Sequence, residues 1–365
     1  MNPLAARACP DIRRQTRRSV SARHAALPGA SLRLGLLGAL LLVAGTASAT
    51  EQIKLPLPWT EGVQVAYRSD ATQDKTRAGT HQQLRTREVL RIEVLRMEEA
   101  EAGDDGIVQV WHNVDPVVEG SGDAPTLARE QAVATALAKR MGAIPYEVQL
   151  NAKGEYQGLR NWEVLATAMR EVLLPVLVDQ ARGRPELAGL DDAALRAKFE
   201  PVLARLSGRD ATNASLGREA AIFNYFTGAG MTPGQARHYE DTVPSPWSAD
   251  LIPTRGTFEI SNVDEKAGTV SIRWEQDIDP AKAREIVRKN LEAATGKPLP
   301  ADDGLSLPAG VRLSDRATVV LDRATGLPLS LDHRRDVEFG GGSTSSHWTL
   351  ERIQEDTGTA PGGAR

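Results

Sequence analysis

The chain has 365 residues, 41% hydrophobic and 25% charged, which excludes intrinsic disorder and a membrane-embedded helical bundle for most of its length. Its formal charge of −4 includes +6 from a leader of seven Arg and one Asp, so the 316 residues after position 49 carry −10. That balance argues against nucleic acid or anionic lipid as the main partner.

Residues 1–49 have the three parts of a cleaved export signal. Arg13, Arg14, Arg17, Arg18, Arg23 and Arg33 precede an apolar run from Leu34 to Ala44, and Ala47-Ser48-Ala49 offers small side chains for cleavage before Thr50. The run is about eleven residues, too short to span a hydrocarbon layer of about 30 Å, so no transmembrane segment is expected. Arg17-Arg18 has the look of a twin-arginine signal but lies far ahead of Ser31-Leu32-Arg33, which fits a translation start nearer Val20. The single cysteine, Cys9, falls in the leader, leaving the exported protein without disulfide, thiol nucleophile or cysteine metal ligand. A soluble periplasmic or secreted product is expected.

Beyond the leader, landmarks repeat in order. Pro56-Leu57-Pro58-Trp59 returns as Pro244-Ser245-Pro246-Trp247, Gly79-Thr80 as Gly256-Thr257, Gly106 to Trp111 as Gly268 to Trp274, and Val148 to Gly154 as Val319 to Gly326. Four ordered matches point to an internal duplication. In the first copy, 50–160, Val89 to Leu95 alternates with charge and turns through acidic residues into Ile107 to Trp111, a hairpin signature. A helix from about Thr126 to Met141 stops at Gly142, and a second hairpin turns at Gly154.

The segment 161–240 has no counterpart and reads as a helical insert. Trp162, Leu165, Met169, Val172, Leu173 and Val176 recur at helical spacing, with Pro175 as a kink. Leu190 to Leu206 and Leu216 to Phe226 give two more helices, and the glycine-rich Gly228 to Gly234 loosens the chain. The second copy, 241–353, repeats the pattern. Gly256 to Val263 and Thr269 to Gln276 form a hairpin, Asp279 caps a helix that has Pro280 at its first position and ends at Gly296, and a further hairpin turns at Gly326. His347 to Ile353 is a last strand, and 354–365 a frayed tail. The expected fold is α+β: two related antiparallel units, strand-strand-helix-strand-strand, joined or merged into one curved sheet, with the insert packed over it. In architecture alone this resembles periplasmic lipoprotein-carrier half-barrels; no residue motif carries the likeness.

Catalytic signatures are absent: no Gly-x-Ser-x-Gly, phosphate loop, His-Glu-x-x-His or dinucleotide fingerprint. His81, His112, His238, His333 and His347 are too dispersed for a local metal motif, and no metal or cofactor is expected. The acidic run from Glu98 to Asp105 lacks calcium-loop spacing and reads as a solvated turn; Asp277-Ile278-Asp279 is explained by the cap. The remaining candidate is apolar. Phe223, Tyr225 and Phe226 place three of sixteen aromatics in four residues, and with Met231 and the glycines that follow they suggest a lid over a groove. Trp59 is expected to be a structural plug. The leading expectation is therefore a non-enzymatic envelope protein binding an apolar small molecule or a protein partner between sheet and insert, with ligand contacts at Phe223, Tyr225, Phe226 and Met231. The alternatives are a hydrolase using dispersed groups such as Asp332, His333 and His112, and a structural or inhibitory protein without a small-molecule site.

Overall fold

The computed structural model describes residues 52–96, 106–187, 189–244, 251–295, 311–339 and 341–354. In chain order it contains β1 (Ile53–Lys54), β2 (Gln64–Arg77), β3 (Thr80–Arg96), β4 (Ile107–Gly122), α1 (Leu127–Gly142), β5 (Tyr146–Leu150) and β6 (Tyr156–Leu159). The insert follows as α2 (Trp162–Arg182), a single 3-10 turn, α3 (Asp192–Leu206), α4 (Arg209–Leu216) and α5 (Arg218–Asn224). Then come β7 (Gly230–Met231), β8 (Arg237–Pro244), β9 (Leu251–Asp264), β10 (Thr269–Ile278), α6 (Pro280–Thr295), β11 (Arg312–Asp322), β12 (Pro328–Phe339) and β13 (Gly342–Ile353).

Eleven strands make one antiparallel sheet in the order β6-β5-β4-β3-β2-β13-β12-β11-β10-β9-β8, while β1 pairs with β7 separately. The expected hairpins around Gly154, Gly268 and Gly326 are present, and the helix over Pro280–Thr295 starts on the Asp279 cap, whose Oδ1 accepts from the amides of Ala281 and Lys282 at 2.9 and 3.1 Å. One expectation needs correction. Each half has three strands ahead of its helix, not two, because β2 and β8 precede the pair legible in sequence. Of the two arrangements expected, joined units or one merged sheet, the halves take the second. The last strand, β13, pairs with β12 on one side and with β2 on the other, from Gly342 opposite Arg77 to Ile353 opposite Ala66. One landmark match also dissolves: Gly79 sits in the β2–β3 turn, whereas Gly256 lies inside β9. The acidic turn, Trp247 and the tail beyond Gln354 lie outside the described residues.

Alternation decides which residues face the core. Val65, Tyr67 and Ser69 on β2, Leu90, Ile92 and Val94 on β3, Val270, Ile272 and Trp274 on β10, Ala317, Val319 and Leu321 on β11, and Trp348 and Leu350 on β13 are buried on the inner face. Cross-strand bonds sew the halves there: the Tyr67 hydroxyl donates to the Pro328 carbonyl at 2.9 Å, and the Trp348 indole to Ser69 Oγ at 3.1 Å. The outer face alternates charge with charge. Arg68–Glu351, Arg85–Asp70, Arg87–Glu119, His347–Asp332 and Arg273–Glu259 pair across strands in solvent. Such exposed pairs contribute about 0–1 kcal/mol each; their effect is to keep this face wet.

Helices lie against the inner face at three places. Glu130 of α1 accepts from Lys75 Nζ and Gln82 Nε2 at 3.1 and 2.6 Å, holding that helix over β2 and β3. Ala283 and Val287 of α6 are buried with Ile252, Ile278, Val311 and Leu313. The helix expected from Leu216 to Phe226 is present as α5 (Arg218–Asn224), and Leu216 instead ends the preceding α4, with Gly217 between the two. A Cβ there would come within 1.8 Å of the Tyr156 hydroxyl, so only glycine lets the chain turn against β6. The outer helices α2 and α3 share a small core of their own around Val178, Ala181 and Leu195.

Candidate functional site

The inner face is filled by two segments of this same chain. Phe223 of α5 is 1% exposed, with its ring centroid 5.7, 5.4 and 5.3 Å from those of Trp59, Tyr67 and Trp111. Phe226, 2% exposed, turns to the other half and meets Phe258 at 5.9 Å. Met231 is buried on β7, paired with Ile53 of β1. Sequence reasoning thus picked four neighbouring residues, and the structure brings them together as a plug spanning both halves. Tyr225 alone among them reaches solvent, at 44% exposure, where it stands 5.9 to 6.3 Å from Trp274, Tyr239 and Phe258.

The second filling segment is the chain from Ile53 to Trp59. Its Leu55 amide donates to the Ala229 carbonyl at 2.9 Å, its Leu57 presses on Gly154, and its Pro56 carbonyl lies 2.1 Å from where a Cβ on Gly326 would fall. The turn of the β5–β6 hairpin and that of the β11–β12 hairpin, one from each half, therefore meet on the same short segment. Trp59, 2% exposed, has the plug role expected of it, and its indole nitrogen is buried with no hydrogen-bond partner among the described residues.

Polar groups orient the plug. The side-chain amides of Gln109 and Asn224, 0% and 2% exposed, exchange hydrogen bonds at 3.0 Å in both directions, and the Trp111 indole also donates to Gln109 Oε1 at 3.0 Å. Under the second half, the Trp274 indole donates to the Tyr239 hydroxyl at 2.6 Å, which donates to Gln276 Oε1 at 2.7 Å. No sequence motif announced either set; each draws on residues distant in the chain.

Beside the start of α5 the inner face becomes charged. His333 Nε2 lies 3.0 Å from Asp315 Oδ1, both buried, and Arg335 Nη1 lies 3.5 Å from the other Asp315 oxygen. Arg218 pairs with Glu219 at 2.9 Å. Burial, and then the charge of Glu219, raises the Glu88 carboxyl to about 7. Burial lowers Arg335, opposed by Asp315, while the charge of Glu219 raises Arg218. Buried Tyr146 and Tyr156 titrate above their ordinary value for the same first reason.

The three residues named for a hydrolase do not converge. His333 faces inward; its neighbour Asp332 faces outward and meets His347 at 3.1 Å; His112 is exposed on β4. Among the described residues no group of three His, Cys, Asp or Glu is placed to hold a metal, and no helix is long and apolar enough to cross a membrane. Open clefts occur at two places: about 430 Å³ away from the plug, between Val133, Ala136, Val172 and Val176 of α1 and α2, and about 350 Å³ beside the filling segment at Trp59, with Val94 and Ile107.

No family profile matches the chain, and no curated relative is found. Among solved structures, one titled "Lipid-protein interactions in lipovitellin" aligns over 84% of this chain at 8% identity with a TM-score of 0.39. This chain spans only 26% of that one. Ail, the attachment invasion locus protein of Yersinia pestis, aligns over 80% of this chain and all of its own at 5% identity and a TM-score of 0.12. Likenesses this distant assign neither fold nor ligand.

Proposed function

We propose that this is an exported, non-enzymatic envelope protein that binds an apolar ligand or the apolar segment of a partner on the inner face of its sheet, where residues 218–231 act as an internal stand-in for that ligand. The observation that carries the reading is the way the apolar face is covered. An open eleven-stranded sheet hides Tyr67, Trp111 and Trp274 beneath three aromatic residues of one short segment, whose far end is held by the two-residue β1–β7 pairing and the Leu55–Ala229 backbone bond. Tyr225, exposed at the boundary, is where an incoming apolar chain first makes contact. Phe223, Phe226 and Met231 are the contacts it replaces. The ordered landmarks, and the succession of three strands, a helix and a following hairpin in both halves, to which the second half adds β13, support descent of the sheet from a duplicated module.

A reversible tether tests this. Lys54 and Gly230 are register partners, and the mature chain has no other cysteine to interfere. In Lys54→Cys/Gly230→Cys, oxidation is expected to abolish binding of a hydrophobic fluorophore and of a long-chain fatty acid, and reduction to restore both. Equal binding in the two redox states would refute plug displacement. A complete lack of binding by the untethered protein would favour the rival reading, a structural or inhibitory protein whose inner face is permanently filled, which draws on the dense packing of Phe223 and Phe226.

A further inference from the structure

The two edges of the sheet are treated differently. The β6 edge is short and blocked: Asn213 of α4 accepts from the Leu159 amide at 2.8 Å, and the Asn161 side chain accepts from the Glu147 amide at 3.1 Å. At the opposite edge β8 is eight residues long and pairs, among the described residues, only with β9. Five of the six residues from Arg237 to Thr242 are exposed, and that run has no lysine, proline or bulge of the kind that usually blunts an edge.

Which backbone groups are free follows from the register. The Pro253 carbonyl accepts from the Asp279 amide at 2.8 Å, so residue 253 directs its backbone toward β10. Its partner across β8–β9, Thr242, is then a non-hydrogen-bonded position, and alternation turns the N–H and C=O of His238, Glu240 and Thr242 outward. The Thr242 amide agrees, being capped by the carboxylate of Asp241 at 2.8 Å instead of by β9. The stretch His238–Glu240 thus offers two donors and two acceptors.

We propose that β8 pairs antiparallel with β8 of a second copy of this chain, about a two-fold axis at Tyr239. With that centre His238 lies opposite Glu240 of the second copy as a hydrogen-bonded pair, twice over, giving four backbone bonds. Arg237 lies opposite Asp241 on the inner side, also twice. Every cross-strand charge meets its opposite or a histidine. Moving the axis one residue, to Glu240, sets glutamate against glutamate and presents the amide that Asp241 already caps. The charge order Arg-His-Tyr-Glu-Asp is therefore self-complementary about Tyr239, a register that the free backbone groups permit.

Sedimentation equilibrium of the purified protein across a concentration series tests this independently of any ligand. A monomer–dimer equilibrium is expected. Arg237→Asp and Asp241→Arg should each weaken it about tenfold or more, and the double variant Arg237→Asp/Asp241→Arg should restore it. Glu240→Pro, which removes one outward donor per chain, should abolish it while circular dichroism keeps the native spectrum. A protein monomeric at all concentrations overturns the proposal. So does a dimer indifferent to Glu240→Pro, or one that the double charge swap fails to rescue.

Discussion

Gln109 on β4 and Asn224 at the end of α5 are 115 residues apart and form a closed two-way amide pair in the buried interior. Phe223 beside it supplies apolar area, which has little directional preference; the amide pair sets how α5 lies on the sheet. Replacing one member leaves the other unsatisfied, and such a group costs about 1–3 kcal/mol. Asn224→Leu is expected to lose about that much in urea unfolding. Gln109→Leu should lose more, because it also strands the Trp111 indole. The double variant should lose less than the sum, a coupling that a double-mutant cycle reads directly.

Glu88 makes stability depend on pH in an unusual direction for a carboxylate. With its folded value at about 7 against an ordinary 4.5, the folded state keeps a proton that the unfolded chain has released across that window. Its contribution therefore falls as pH rises from about 4.5 to 7 and is flat above. Glu88→Gln is expected to gain about 1–3 kcal/mol over the wild type at pH 8 and nothing at pH 4. Urea midpoints at both pH values check the sign; an equal offset at the two would sink it.

Asp315 on β11 and Asp332 on the adjacent β12 lie on opposite faces of the sheet and meet opposite fates. Asp315, buried, holds both His333 and Arg335, while Asp332 meets only His347 in solvent. Asp315→Ala leaves the buried His333 and the largely covered Arg335 guanidinium without their partner and should cost about 3–5 kcal/mol. Asp332→Ala should change stability by less than about 1 kcal/mol. Thermal unfolding of the two variants side by side decides whether the inner charges are structural.

Gly217→Ala places a methyl on the Tyr156 hydroxyl and against the Asn213 carbonyl, and should cost about 1–3 kcal/mol. Tyr156→Phe removes a buried hydroxyl that has no hydrogen-bond partner among the described residues, so alone it should be neutral or stabilising. Combining the two should recover part of the loss, as the carbonyl clash persists. Differential scanning calorimetry of the three variants measures each step.

The amino-acid sequence alone determined the antiparallel hairpins at Gly154, Gly268 and Gly326, the capped helix at Asp279 and the aromatic cluster at 223–226, because each depends on neighbours in the chain. It concealed β2 and β8. Most of β2 is polar, Ser69 to Arg77, and β8 sends only Tyr239 and Val243 toward the core, so neither shows the one-sided apolar period that betrays a strand. Tertiary structure alone decided that β13 would join β2 to β12, that Asn224 would find Gln109, and that the aromatic segment would fill the inner face. Those choices turn on which distant backbone edges and buried polar groups satisfy one another, a condition that no local pattern encodes.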